Sequence, residues 1–134
     1  MSSVAFHFNN QITATGKARL FDGTAGYGNG EQRRDFIYVE DCAKVNLWFM
    51  DNSSKSGIFN LGTGKARSFN DVANAVIKYL GEGSIEYISF PEHLKGAYQS
   101  FTEADISALR NIGYNKTFIS VEEGVKKYLD RLKG

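Results

Sequence analysis

The sequence predicts an α/β domain. Short apolar runs alternate with segments of helical periodicity, and three of those segments open on a Ser or Thr three residues before an acidic side chain. Glycines stand where the helices should stop. A length of 134 residues suits one core, so residues 1–134 read as a single domain.

Residues 2–10 carry two periods. Val4, Phe6 and Phe8 alternate like a strand, whereas Val4, Phe8 and Ile12 recur every four residues like a helix. Helix is favoured, with Ser2 or Ser3 as the cap and Gly16 as the stop. Residues 18–21 read as a short strand ended by Asp22-Gly23. Residues 23–32 are a Gly-rich loop, with Gly26, Gly28 and Gly30 around Tyr27 and Asn29. That spacing resists regular structure and lets backbone approach a ligand, although such segments are more often mobile surface loops.

Residues 36–39 form a second strand candidate. Glu40-Asp41 then open a helix that places Cys42, Val45, Trp48 and Phe49 on one face and ends in the polar turn 51–57. Ile58-Phe59-Asn60-Leu61 reads as a buried strand running into the tight turn Gly62-Thr63-Gly64. Ser68 with Asp71 caps the clearest helix, striped by Val72, Ala73, Val76, Ile77 and Leu80 and closed by Gly81. Residues 85–90 are a strand halted by Pro91. Thr102 with Asp105 caps a short helix carrying Ile106, Leu109 and Ile112, closed by Gly113. Ser120 with Glu123 caps the last, with Val121, Val125, Tyr128, Leu129 and Leu132 inside.

Composition excludes several functions. Sixteen basic against fifteen acidic side chains leave a net charge of +1, which creates no general field for nucleic acid or anionic membrane. Ten Phe and seven Tyr argue against disorder. One cysteine, Cys42, excludes a disulfide scaffold or cysteine metal site, and His7 and His93 lack ligand spacing. No apolar run approaches the ~20 residues that span a bilayer, and the start lacks signal-peptide features. A cytoplasmic protein that binds neither nucleic acid nor membrane is expected.

Catalytic motifs are scarce. Gly62-Thr63-Gly64 precedes a helix, but a dinucleotide fingerprint needs glycine where Arg67 stands, and a strand-to-helix turn is the simpler reading. No Gly-x-Ser-x-Gly elbow occurs, and Cys42 faces inward. None of the seven tyrosines is followed four residues later by lysine, the pairing that short-chain dehydrogenases use. Arg33-Arg34-Asp35 is more suggestive, because an arginine fork between a loop and a strand suits a phosphate, while a salt-bridged pair is the commoner outcome. Tyr27, Tyr98 and Phe101 are of a type that stacks on rings or simply packs.

A resemblance extends across most of the chain. It is carried by Ser3-Val4-Ala5-Phe6-His7, Leu20-Phe21-Asp22-Gly23-Thr24 and Arg34-Asp35-Phe36-Ile37-Tyr38-Val39. It continues in Val45-Asn46-Leu47-Trp48-Phe49, Gly57-Ile58-Phe59-Asn60-Leu61-Gly62-Thr63-Gly64 and Leu94-Lys95-Gly96-Ala97-Tyr98-Gln99. These runs resemble the C-terminal half of the ADP-L-glycero-D-manno-heptose 6-epimerases, a family of extended short-chain dehydrogenases/reductases. The resemblance implies the α/β substrate-binding part of such an enzyme, without its N-terminal Rossmann half. It also implies a setting in lipopolysaccharide inner-core synthesis.

The family holds NADP tightly, oxidises the sugar transiently and returns the hydride to the opposite face. Its glycine fingerprint and Tyr-x-x-x-Lys pair are not found in this sequence, so neither a cofactor nor a catalytic residue is expected here, and no epimerisation by the chain alone. Carried over by position, His7 contacts the nucleotide-sugar, Phe21, Asp22, Gly23 and Thr24 surround the ADP portion, Arg34 meets the diphosphate, and Tyr98 adds an aromatic contact. The implied partners are ADP or an ADP-sugar, and a second copy of the chain that covers apolar surface otherwise packed on Rossmann elements. Two other functions follow from the same residues. One is an interaction or self-assembly module that no longer uses the pocket, and the other is a subunit completed by a separate Rossmann-domain chain.

Overall fold

The computed structural model describes residues 2–23, 26–94 and 101–133, excepting the side chains of residues 2 and 3. In chain order its elements are α1 (Ser2–Thr15), β1 (Lys17–Phe21), β2 (Arg33–Arg34), α2 (Val39–Asp51), β3 (Arg67–Ser68), α3 (Phe69–Leu80), β4 (Ser84–Ile88), a 3-10 turn (Glu92–Leu94), α4 (Ser107–Asn111) and α5 (Val121–Lys133).

The ambiguous start is a helix because only that period buries its large side chains together. Ala5, Phe8 and Ile12 are all buried, while Phe6, which a strand would align with Phe8, is 40% exposed. Gly16 donates its N–H to the Ile12 carbonyl at 2.8 Å and ends the helix. The expected cap at Ser2 or Ser3 rests on side chains outside the described set. β1 then turns Ala18 and Leu20 inward and pairs in parallel with β4, from Lys17 opposite Ser84 to Phe21 opposite Ile88. Parallel strands need a long crossover, and residues 22–83 supply it.

α3 is built as its sequence requires. Ser68 Oγ accepts from the Asp71 N–H at 3.1 Å, and Asp71 Oδ2 accepts from the Ser68 N–H at 3.1 Å. This reciprocal cap pairs donors that the first turn otherwise leaves open. Gly81 ends the helix at φ 76°, a left-handed conformation that costs glycine little. Ser120 Oγ likewise accepts from the Glu123 N–H at 3.2 Å, and α5 follows. Val72, Ala73 and Val76 of α3 meet Val121, Val125 and Leu129 of α5 and the inner face of α1 in the larger core. Leu132, expected inside, is 47% exposed because the last turn of α5 outruns that core. A smaller cluster, Val45 with Leu109 and Tyr114, joins α2 to α4 and is surrounded by Trp48, Phe49, Ile112 and Phe118.

Three further sequence expectations are corrected. Residues 36–39 form no strand. Phe36 and Tyr38 are buried, as their alternation implies, but the ladder forms two residues earlier, where β2 pairs antiparallel with β3. Tyr38 is the extended N-cap of α2 instead. Residues 58–61 are neither strand nor buried: Ile58 is 99% exposed, and only Phe59 leans on Phe49, 5.3 Å between rings. Finally, Thr102 and Asp105 do not form a capping box. Thr102 donates its N–H to the Arg33 carbonyl, and Asp105 Oδ1 accepts from Ser107 N, so α4 begins five residues after Thr102.

Arg67 fastens α3 to α5. Its Nε donates to Asp71 Oδ2 at 3.0 Å, and Nη2 and Nη1 reach Glu122 at 2.5 and 3.2 Å. The Arg67 hydrogen bond holds the Glu122 carboxyl below its ordinary range. Burial pushes Asp71 upward, but the Ser68 N–H and Arg67 outweigh it, so Asp71 also sits low. A carboxyl depressed on folding contributes stability above its unfolded pKa and loses it as the pH falls through the folded one. The melting temperature is therefore expected to fall as the pH drops below about 4. The fall should be shallower in Arg67→Met; parallel pH profiles for the two proteins would remove this network from the account.

Candidate functional site

The end of β1 lies against the start of α1 and opens a cavity of about 160 Å³. From α1, Val4, His7 and Phe8 line it; from β1, Arg19, Leu20 and Phe21; and Gln32 and Phe69 close it. The geometry follows from periods already described. His7 stands one position before the buried Phe8, at the exposed rim, and Phe21 is the last residue of the strand before the chain breaks at Asp22-Gly23. Ligands in α/β folds commonly bind beyond the carboxyl ends of parallel strands, and this cavity sits at such an end.

Arg34 reaches the same wall indirectly. Its guanidinium lies 5.6 Å from the centroid of the Phe69 ring, which lines the cavity, and its Nη1 donates to the Arg33 carbonyl at 3.2 Å. Phe69 in turn packs edge-on against Phe36 at 5.7 Å. A cation is thus held beside an aromatic-walled cavity, an arrangement that suits a ring carrying an anionic tail. Arg19, at the rim, is 3.9 Å from Glu86.

The Gly-rich loop folds back on this site. Gly30 donates its N–H to the Phe21 carbonyl at 3.0 Å, and Gln32 Nε2 donates to the Asp22 carbonyl at 2.9 Å. Gly23 donates to Asn29 Oδ1 at 2.8 Å. Asn29, Gly30 and Gln32 are therefore hydrogen-bonded to the end of β1 and the turn after it. Of the residues singled out from sequence, His7 and Phe21 line the cavity, Arg34 lies behind its Phe69 wall, Asp22 and Gly23 bond to Gln32 and Asn29 beside it, and Thr24 and Tyr98 lie outside the described residues. Gln32, Phe69 and Arg19 escaped the sequence reading. Gln32 is 1% exposed, and nothing local marks a glutamine beside a glycine loop as buried.

The turn Gly62-Thr63-Gly64 does different work. Asp35 Oδ1 accepts from Thr63 N at 2.9 Å and Thr63 Oγ1 at 2.6 Å, and Oδ2 accepts from Gly64 N at 2.9 Å and Ala104 N at 3.1 Å. A dinucleotide does not fit this turn, because the amides that would face its pyrophosphate are taken by Asp35. Cys42 is no better as a nucleophile: burial, and then the Asp41 charge, push its thiol pKa up. Among the described residues there is no group of three metal-ligating side chains, and no helix is long and apolar enough to cross a membrane.

A parallel β1–β4 pair flanked by α1, α3 and α5, with loops converging at the end of β1, is part of the fold of extended short-chain dehydrogenase/reductase epimerases. The profile of the NAD dependent epimerase/dehydratase family matches residues 1–62. Over nearly its whole length the chain is homologous to ADP-L-glycero-D-manno-heptose-6-epimerase. The Alkalilimnicola ehrlichii enzyme of that name is 55% identical over 130 residues, 97% of this chain and 41% of that protein. The crystal structure of the Helicobacter pylori enzyme superimposes with a TM-score of 0.77 at 28% identity, covering 98% of this chain and 38% of that one. UDP-N-acetylglucosamine 4-epimerase from Methanobrevibacter ruminantium, solved with UDP-N-acetylmuramic acid, gives 0.75 at 25% identity, with 96% and 38% covered. The chain thus spans about two fifths of the length of the relatives it matches.

Proposed function

We propose that residues 1–134 fold as one unit that grips the nucleotide-sugar of an ADP-heptose-type epimerase, and that this unit does not itself transfer hydride. The observation that carries the proposal is the convergence of His7, Phe21 and, through Phe69, Arg34 around one cavity. An aromatic-walled slot with an adjacent guanidinium matches the two halves of a nucleoside diphosphate, a flat ring and a multiply charged tail. Asp22, Gly23, Thr24 and Tyr98 are assigned to the same site by position in the sequence. The solved relative that contains a UDP-sugar supports this class of ligand. The amides of the Gly62-Thr63-Gly64 turn bond to Asp35, and on this reading the redox cofactor belongs to another part of an epimerase.

A second reading rests on α2, which is apolar on two sides. Val45, Trp48 and Phe49 pack inward, while Val39, Leu47 and Met50 form a stripe on the opposite face at 62%, 58% and 74% exposure. A contiguous exposed apolar stripe on a helix commonly marks an interaction surface. Under this reading the outer stripe meets a second copy of the chain or a separate cofactor-binding chain, and the cavity is no longer used.

Calorimetry with ADP, on material whose mass in solution has been measured, separates the two. The first reading expects binding, and a loss of about tenfold in affinity for Arg34→Ala, the size expected for one charge-assisted contact. Equal affinity in wild type and Arg34→Ala refutes the assigned site. No heat from ADP, together with a mass above the monomer, favours the second reading.

A further inference from the structure

We propose that Asn70 is a positioning residue: it latches the Gly-rich loop over the end of β1 and so sets the affinity of the cleft for a nucleotide. The effect on affinity rests on the function proposed above, whereas the latch itself stands on geometry. Asn70 is the second residue of α3 and bonds to the loop through both its backbone and its side chain. Its N–H donates to the Gly30 carbonyl at 3.0 Å, and Nδ2 donates to the Asn29 carbonyl at 2.9 Å and to Glu31 Oε1 at 2.5 Å. From β4, the Tyr87 hydroxyl donates to Asn70 Oδ1 at 2.8 Å. The amide is therefore oriented from below by a strand that is itself paired to β1.

Gly30 is the piece held. It adopts φ 69°, and a methyl group on it would collide with Asn70 Oδ1 and with the Leu20 side chain. It is pressed between α3 and β1 while its N–H bonds the carbonyl of Phe21, a cavity residue. The loop runs on through Gln32, which closes the cavity, to Arg34. Ordering these residues before a ligand arrives removes an entropic cost from binding.

The variant Asn70→Asp tests this. It keeps the acceptor for Tyr87, loses both side-chain donors to the loop, and sets a charge against Glu31, while an acid in the first turn of α3 leaves the helix favoured. Amide hydrogen exchange at Gly30 and Glu31 should accelerate, and ADP affinity should fall about tenfold, the scale of one lost hydrogen bond. Asn70→Asp combined with Glu31→Gln reverses donor and acceptor across the Glu31 contact but leaves the Asn29 carbonyl without its donor, so it should recover part of both losses. Exchange unchanged in Asn70→Asp overturns the latch. Faster exchange with ADP affinity within twofold of wild type overturns the positioning role. A wild-type chain that takes no ADP defeats the nucleotide reading instead, and exchange alone then decides the latch.

Discussion

Asp35→Ala is expected to lower stability by about 3 kcal/mol, roughly a 10 °C drop in melting temperature for a chain of this size. Its carboxylate is the common acceptor for Thr63 N, Thr63 Oγ1, Gly64 N and Ala104 N, which come from two segments distant in sequence. Each charge-assisted bond contributes ~1.5–3 kcal/mol in isolation, but the four share one half-exposed group and water can replace some of them, so the total stays well below their sum. The site is also closely packed. A methyl group on Gly62 would lie 2.6 Å from both Asp35 Oδ2 and the Ala104 Cβ, which leaves little space for a rearranged partner. Asp35→Asn, which retains one acceptor oxygen, should cost less than Asp35→Ala. Thermal melts followed by circular dichroism measure both, and a loss under 1 kcal/mol for the alanine variant would show that the turn holds itself.

Leu109→Ala is expected to cost a further ~3 kcal/mol, and to do so locally. Leu109 is 1% exposed, in a cluster with only two other fully packed members, Val45 and Tyr114, so few neighbours can collapse into the space left. The sole tryptophan reports on it, because Trp48 meets Tyr114 edge-on at 5.6 Å and Phe49 at 5.2 Å. In the variant, the fluorescence transition should move to lower urea than the transition in helical circular dichroism, which is dominated by α1, α3 and α5. Superimposed transitions at the wild-type midpoint would mean that the two clusters do not melt separately and that Leu109 is not a keystone.

The site was legible to different depths. His7, Phe21 and Arg34 stood out by resemblance, and Arg34 also by its place between loop and strand, before any distance was known. Gln32, Phe69 and Asn70 did not, because their roles arise from neighbours far along the chain. Asn70 looks like an ordinary polar residue in a first helical turn until Gly30 and Tyr87 are brought beside it. The turn Gly62-Thr63-Gly64 was recognised as a turn, but the carboxylate that holds it, Asp35, was visible only as the end of an arginine pair.

From its residues alone the chain determined α3 and α5, β1 and β4, and the glycine stops after α1, α3 and α4. Caps, periods and terminators act within about four residues of one another, a range that a linear reading covers. Tertiary structure alone decided whether an apolar run became a strand. Residues 36–39 and 58–61 have strand-like composition and no ladder, because a strand exists only where another edge offers its hydrogen bonds. Arg33 and Arg34, poor strand formers by side chain, found that edge in Arg67 and Ser68.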